Sequence, residues 1–251
     1  MGNFANRYRA YDGADGHPEK PKGKVLTFLS LWWDNFWTLI PLSVVYSFLQ
    51  FLLLSGGVAS AGMTRVTMDM ARGRHTYGFS DFVDTVKRVW KQALLVGIVN
   101  LTITAFLVFV GLFYYTSGGI LATMGLGCCL MAMMLFSFAR YYLWPQMVLF
   151  RLPVAKLYKN AFLFVFLNFR NNLLVGAFTV ACYGIAAALL LLVTIPTTVV
   201  LITLLAVCVF PGFQQMLVQY CIFPSIKTHL IDPYYAENPD ADRELRKRMD
   251  L

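Results

Sequence analysis

Chemistry has few places to reside in this chain. Asp34 is the one charge inside the apolar run 25–63. A carboxylate at membrane depth is costly to hold and marks an ion or proton pathway. Among Trp32, Trp33 and Trp37 it equally fits the interface of a short, tilted helix, and both readings stay open. Gln214 and Gln215, beside Pro211-Gly212, are the next candidates, either lining a polar seam or hydrogen-bonding to a neighbouring helix. His17, His75 and His229 are isolated from one another. Cys128, Cys129, Cys182, Cys208 and Cys221 all lie in apolar segments without CxxC spacing, so they read as small buried hydrophobes rather than zinc ligands or disulfides. There is no nucleophile–base–acid set, phosphate loop, HExxH or EF-hand. The expectation is a protein that is not an enzyme, with no catalytic residue, no metal and no cofactor.

The elements that would position these residues follow from composition. Of 251 residues, 58% are hydrophobic and 14% charged, with a mean hydropathy of +0.61. A soluble domain is about 45–50% apolar and about 25% charged. The excess belongs in lipid, which points to an all-α, polytopic transmembrane helix bundle with the bilayer as its first partner. Aromatics at 16% suit helix interfaces and interfacial belts. A net charge of +8 would suit nucleic acid in a soluble protein, but in a membrane protein basic residues mark the cytosolic face and meet anionic lipid, so no nucleic-acid partner is expected. Residues 1–24 are polar and carry no apolar core, so no cleavable signal is expected and they form a cytosolic tail; 25–226 form the membrane domain and 227–251 a second polar tail.

Residues 25–63 are too long for one helix of about 20 residues, and Pro41 divides them into shorter halves. A turn at Pro41 puts the basic clusters before and after this run on one side. The first half is short for a full span, so two spans and a re-entrant hairpin both remain open. Ser55, Gly57, Ala59 and Ala61 supply small-xxx-small pairs for close helix approach.

From Thr64 the chain turns basic. Gly73 is a candidate helix stop, Ser80 a candidate N-cap and Asp81 a favourable first-turn acid. An in-plane amphipathic helix follows, with Phe82, Val86 and Val89 on one side and Asp81, Asp84, Lys87 and Arg88 on the other, a surface that a cytosolic partner could read. Gln92–Tyr114 and Gly119–Phe138 are the next spans, then a second basic segment with Lys156, Lys159 and Asn160 on one helix face. Val175–Val193 and Thr197–Tyr220 complete the set, turning near Ile195-Pro196, with Pro211-Gly212 interrupting the last. Lys plus Arg number 5 before Val25, 6 in Thr64–Lys91, 5 in Arg140–Arg170 and 5 after Ser225, and these are all 21 in the chain. With none left for the three short turns, the charges predict about six membrane segments, a multi-pass protein of the cell membrane and both termini in the cytosol.

Lys91-Gln-Ala-Leu-Leu-Val-Gly97 resembles Arg170-Asn-Asn-Leu-Leu-Val-Gly176, which would make the chain three units of a basic segment and a hairpin. Parallel repeats occur in transporters. Asn35, Trp37 and Pro41 form an N-x-W...P opening, followed by Ala71-Arg-Gly73, Phe79-x-x-Phe82, Lys91–Gly97 and Tyr158-Lys-Asn-Ala161. On these motifs the chain resembles the YesL family of bacterial membrane proteins over roughly residues 25–225. Thr38 and the long polar tails depart from that pattern. The resemblance implies no catalytic residue. It implies association with carbohydrate ABC importers, so a non-enzymatic accessory to such an importer is the first expectation. A transporter or channel in its own right is the alternative, motivated by Asp34, the Pro211 break and the repeat.

Overall fold

The computed structural model describes residues 23–150, 152–192 and 196–233. Both polar tails up to 22 and from 234, His17, Arg151 and the turn expected at Ile195 lie outside them. Among the described residues the chain is all helix: α1 Lys24–Asp34, α2 Phe36–Phe51, α3 Gly56–Ala71, α4 Phe79–Ser117, α5 Gly119–Leu149, α6 Val154–Leu167, α7 Phe169–Leu192, α8 Pro196–Cys208 and α9 Phe210–Ile226, which passes into a π turn at Lys227–Ile231. Four stretches are long and apolar enough to cross a membrane: α4, α5, α7 and the run from Pro196 to Ile231. This is a membrane-like helical bundle, as composition requires.

The first hairpin differs from expectation. Pro41 lies inside α2 on its exposed face, and the chain does not turn there. A proline removes one intrahelical bond, and here α2 continues past it. The break falls earlier, at Asn35, whose Nδ2 donates to the Leu31 carbonyl at 2.8 Å. The turn falls later, at Leu52–Ser55, where Leu53 takes a left-handed φ of 48°. Leu53 shares a small cavity with Leu101 and Thr104 of α4. From Thr104, α4 runs on to Ser117, a further 13 residues or about 20 Å by the helical rise. The α2–α3 hairpin therefore turns back well short of the α4–α5 turn, as a re-entrant element would, and the six expected segments become four helices of spanning length and a shorter hairpin. Its tip is apolar and open, with Phe51 84% and Leu53 63% exposed, a surface suited to hydrocarbon rather than water. Irregular backbone in an apolar setting needs internal partners. Ser55 Oγ donates to Leu49 O at 2.6 Å, and Gln50 Nε2 to Gly56 O at 3.3 Å and Ser60 Oγ at 2.9 Å.

α3 is the centre of the bundle, buried at every residue but Val58 and Arg65. Its small residues permit this. Gly57 meets Gly97 of α4 backbone to backbone: a Cβ built on Gly57 would fall 2.4 Å from Ala93 O and 2.7 Å from Gly97 Cα. The small-xxx-small stripe thus works as expected, with α4 as the partner. α3 ends in a Schellman motif, with Gly73 at φ 67°, Gly73 N–H donating to Met70 O and Arg74 N–H to Asp69 O, so Gly73 is the stop the sequence predicts.

The basic amphipathic segment is not a separate in-plane helix. It forms the first turns of the 39-residue α4, because no Gly, Pro or cap intervenes between Ser80 and Leu95. The helix begins at Phe79 after Gly78 (φ 54°), ahead of the expected cap Ser80, and Asp81 Oδ2 accepts the Tyr77 N–H at 2.8 Å. The second basic segment does form its own helix, α6, which starts after Pro153 and stops at Asn168, with Leu157, Ala161, Phe164 and Val165 turned inward. The two halves of the suggested repeat therefore differ in construction.

Basic segments converge at one end of the bundle. Tyr220 OH donates to Lys24 O at 3.1 Å, the Arg72 guanidinium lies 4.5 Å from the Phe223 ring centre, and Arg88 and Gln92 donate to the Val148 and Leu152 carbonyls at 3.3 and 2.6 Å. At the other end of α4 and α5, Gly118 alone connects the two helices with φ 66°.

Candidate functional site

Near the basic end, α5 and α7 are held together. Tyr142 OH donates to Asn172 Oδ1 at 2.7 Å, and Phe138 fills the space where a Gly176 Cβ would stand. Beyond that contact the two helices line opposite walls of a cavity of about 610 Å³. Ser137, Arg140, Tyr141 and Trp144 come from α5; Ala177, Val180 and Tyr183 from α7; Gln214, Gln215, Val218 and Gln219 from α9; Tyr46 and Ser60 close it from α2 and α3. The volume lies within the range of small-molecule sites, roughly 300–1,000 Å³. The walls are mainly apolar with a few convergent polar groups, the pattern of a binding pocket.

The polar groups have distinct states. Tyr183 OH donates to Gln214 Oε1 at 3.3 Å, and Gln215 Nε2 to Tyr46 OH at 3.2 Å. Gln219 is 1% exposed, and its Oε1 has no hydrogen-bond partner. Arg140 makes no hydrogen bond and no ion pair among the described residues. It also lines a second cavity of about 130 Å³ with Gln50, Gly57, Ser60, Gly97, Asn100 and Trp144. Asn100 Oδ1 accepts from Tyr158 OH at 3.1 Å, while its buried Nδ2 is unpartnered. Burial pushes the Tyr158 hydroxyl up to about 12, against the opposing influence of the nearby Arg140 guanidinium.

The sequence candidates separate. Gln214 and Gln215 do line a polar cavity, and each also bonds a tyrosine, so the two readings of them coincide. Asp34, at the end of α1, is exposed and lies outside both cavities. Of the expected partner surface, Asp84, Lys87 and Arg88 are exposed, Asp81 accepts the N–H of Tyr77 just ahead of its helix and Arg88 reaches the α5 carboxyl end. Trp37 is 81% exposed, whereas Phe82 and Gly97 pack against α3, with Phe82 4% exposed. Among the described residues there is no group of three or more potential metal ligands; His75 meets the Tyr77 ring edge to face, and His229 Nδ1 lies 3.0 Å from Ser225 O.

Two features are absent from the sequence reading. Arg140 counts there only as a boundary charge, although Ser137, Arg140 and Trp144 share a helical face, and Gln215 and Gln219 sit one turn apart on α9. The second is the cluster in the last turns of α3. Asp69, 6% exposed, is 2.8 Å from Arg65 Nε and 3.7 Å from Arg72 Nη1. Burial pushes its carboxyl above the ordinary value, against the pull of Arg65, Arg72 and Arg74.

Residues 36–111 match the model of DUF624, a family of proteins of unknown function. The match holds the α2–α3 hairpin, the Gly57–Gly97 contact and most of α4; Arg140 and α9 lie outside it. No curated protein and no solved structure gives a significant match to the chain.

Proposed function

We propose that the protein is a non-enzymatic, multi-pass protein of the cell membrane that binds a small polar solute in the cavity between α5, α7 and α9, as a transporter or as its solute-binding component. The observation that carries this is the unused hydrogen-bonding capacity of Gln219 and Arg140 in a space of about 610 Å³. Buried polar groups without partners are costly, and a bound polar molecule supplies the partners. The break between α8 and α9 at Val209, one turn from Gln214, supports the transporter form, because discontinuous helices surround the binding sites of many transporters. Trp144 lines both cavities, so its fluorescence can report occupancy. Purified protein is expected to change Trp144 emission and melt at a higher temperature with at least one member of a panel of polyols, sugars, amino acids and organic acids. Ala177→Trp, which fills the cavity, is expected to abolish both effects. A panel that leaves both signals unmoved would overturn the reading.

A second reading, accessory to a carbohydrate ABC importer, is favoured by one observation: Asp84, Lys87 and Trp90 stand exposed on the first turns of α4. They lie within the stretch that carries the YesL-like motifs. Affinity purification from membranes with mass spectrometry checks it, and a preparation that retains other known complexes yet holds no permease or solute-binding subunit would count against it. In either reading the basic end faces the cytosol, supported by the gathering of Lys24, Arg72, Arg88 and Lys227 there. A fluorescent protein fused after Leu251 is then expected to fluoresce, and alkaline phosphatase inserted at Gly118 to be active; the opposite pair of signals would reverse the orientation.

A further inference from the structure

Among the described residues, Arg140 is the one cation lining either cavity. Arg140 is half-buried, and a guanidinium that is partly withdrawn from water gains from an anion or a set of acceptors facing it. Among the described residues no Asp or Glu lines either cavity, and Asp34 lies outside both. The guanidinium presents a planar fork of donors suited to bidentate contact with a carboxylate or phosphate. Opposite polarity is supplied by Gln219, whose buried Oε1 accepts from nothing and therefore calls for a donor such as a hydroxyl. On the other side of Arg140, the unpartnered Nδ2 of Asn100, which is 4% exposed, offers a further donor.

We infer that the solute is a polyol bearing an anionic group, with its phosphate or carboxylate on Arg140 and a hydroxyl on Gln219. This rests on the solute-binding reading above and narrows it to one chemical class. The two donors set the polarity: Arg140 lies at the junction of the cavities, with Ser60 and Trp144 as the other residues common to both, so the charged end sits at the junction and the hydroxylated end extends along α9. The source of the headgroup is either a free hydroxylated acid or an anionic lipid, since the cavity wall formed by Leu173, Ala177, Val180 and Tyr183 lies along an otherwise exposed face of α7.

The test uses the full chain in nanodiscs of phosphatidylcholine, with glycerol phosphate and glucuronate as anionic probes and glycerol and glucose as their neutral counterparts. A parallel arm replaces a third of the lipid with phosphatidylglycerol. Expected is a rise in melting temperature with an anionic probe, or with phosphatidylglycerol, and no rise with the neutral ones. The first result identifies a free solute, the second a lipid headgroup. Arg140→Gln is expected to weaken the effective probe at least tenfold, and Gln219→Leu to weaken it less. Should Arg140→Gln not fold, Arg140→Lys, which keeps the charge and loses the fork, is expected to weaken it severalfold. Equal binding of neutral and anionic probes, or anion binding indifferent to Arg140, would overturn the inference while leaving solute binding intact. Failure of every probe in both lipid mixtures, together with the wider panel, would remove both.

Discussion

Leucine in place of Gly97 is expected to leave little folded protein, and alanine in place of Gly57 to cost more than alanine at Gly97. The reason is the kind of atom each new Cβ meets. At Gly57 it falls 2.4 Å from Ala93 O and 2.7 Å from Gly97 Cα; at Gly97 it falls 2.9 Å from Gly57 Cα and 3.1 Å from Gly57 N. These are backbone atoms of a neighbouring helix, so no rotamer change relieves the contact and α3 must move away from α4. Between helices in lipid, close approach is itself a main source of attraction. Separating the helices therefore costs both overpacking and lost dispersion, about 3 kcal/mol or more. Gly127, on α5, has nothing within 4 Å of its Cβ position and serves as the internal control. Gly127→Ala is expected to be neutral or stabilising by up to about 1 kcal/mol, through helix propensity alone. Thermal melting of the three alanine variants in one detergent reads the order directly. If Gly57→Ala melted with Gly127→Ala, the close contact would not be what holds α3 in place.

How much of this was readable beforehand depended on whether a property is local. Mean hydropathy, the gathering of Lys and Arg, the stop at Gly73 and the close-packing stripe on α3 are set by residues near one another in the chain, and each appears as expected. The fold of the first hairpin is not local. Pro41 carries the strongest breaking signal between Val25 and Met63, yet α2 accommodates it on an exposed face. The chain bends instead at Asn35, which can bond its own helix, and at Leu52–Ser55, where Gln50 and Ser60 supply partners for the backbone. Nothing in the apolar run Phe51–Leu54 announces a turn. The length of α4 has a related cause: the amphipathic period of Phe79–Lys91 passes into the uniformly apolar stretch beyond with no residue to end the helix, so a change of environment occurs without a change of structure. The cavity was half legible. Gln214 and Gln215 stand out as amides in an apolar run, but Arg140 counts in the sequence with the basic loop that follows it. Only the separation of α5 and α7 above Phe138 turns it toward an interior space. Asp34 is conspicuous as a lone carboxylate in an apolar run; it occupies the exposed end of α1, the position its interfacial reading describes.

The other large effect is expected at Asp69. This carboxylate is nearly buried in the last turns of α3, with Arg65 Nε at 2.8 Å and Arg72 Nη1 at 3.7 Å, and the side chain of Arg72 is only 8% exposed. Replacing Asp69 with alanine removes the carboxylate that lies 2.8 Å from Arg65 Nε and 3.7 Å from Arg72 Nη1, at the point where the Arg72 guanidinium sits 4.5 Å from the Phe223 ring centre. Removing one partner of a buried ion pair costs up to about 3–5 kcal/mol. Asp69→Asn keeps the shape and one acceptor and is expected to lose about half as much. The origin of the loss can be separated from simple packing by a second substitution. If the Asp69–Arg72 ion pair is responsible, Asp69→Ala combined with Arg72→Met should recover a large part of the melting temperature lost in Asp69→Ala, because an apolar side chain of similar length fills the place beside Phe223. If instead the two losses simply add, Arg72 contributes through its own packing and the ion pair is not the source. The outcome also bears on how the bundle is assembled. Asp69 and Arg72 join the end of the central helix to α9, the helix that carries Gln214, Gln215 and Gln219. Loosening that joint is expected to weaken solute binding at a distance from the cavity, with affinity falling in step with the melting temperature across the Asp69 series and recovering in the double variant.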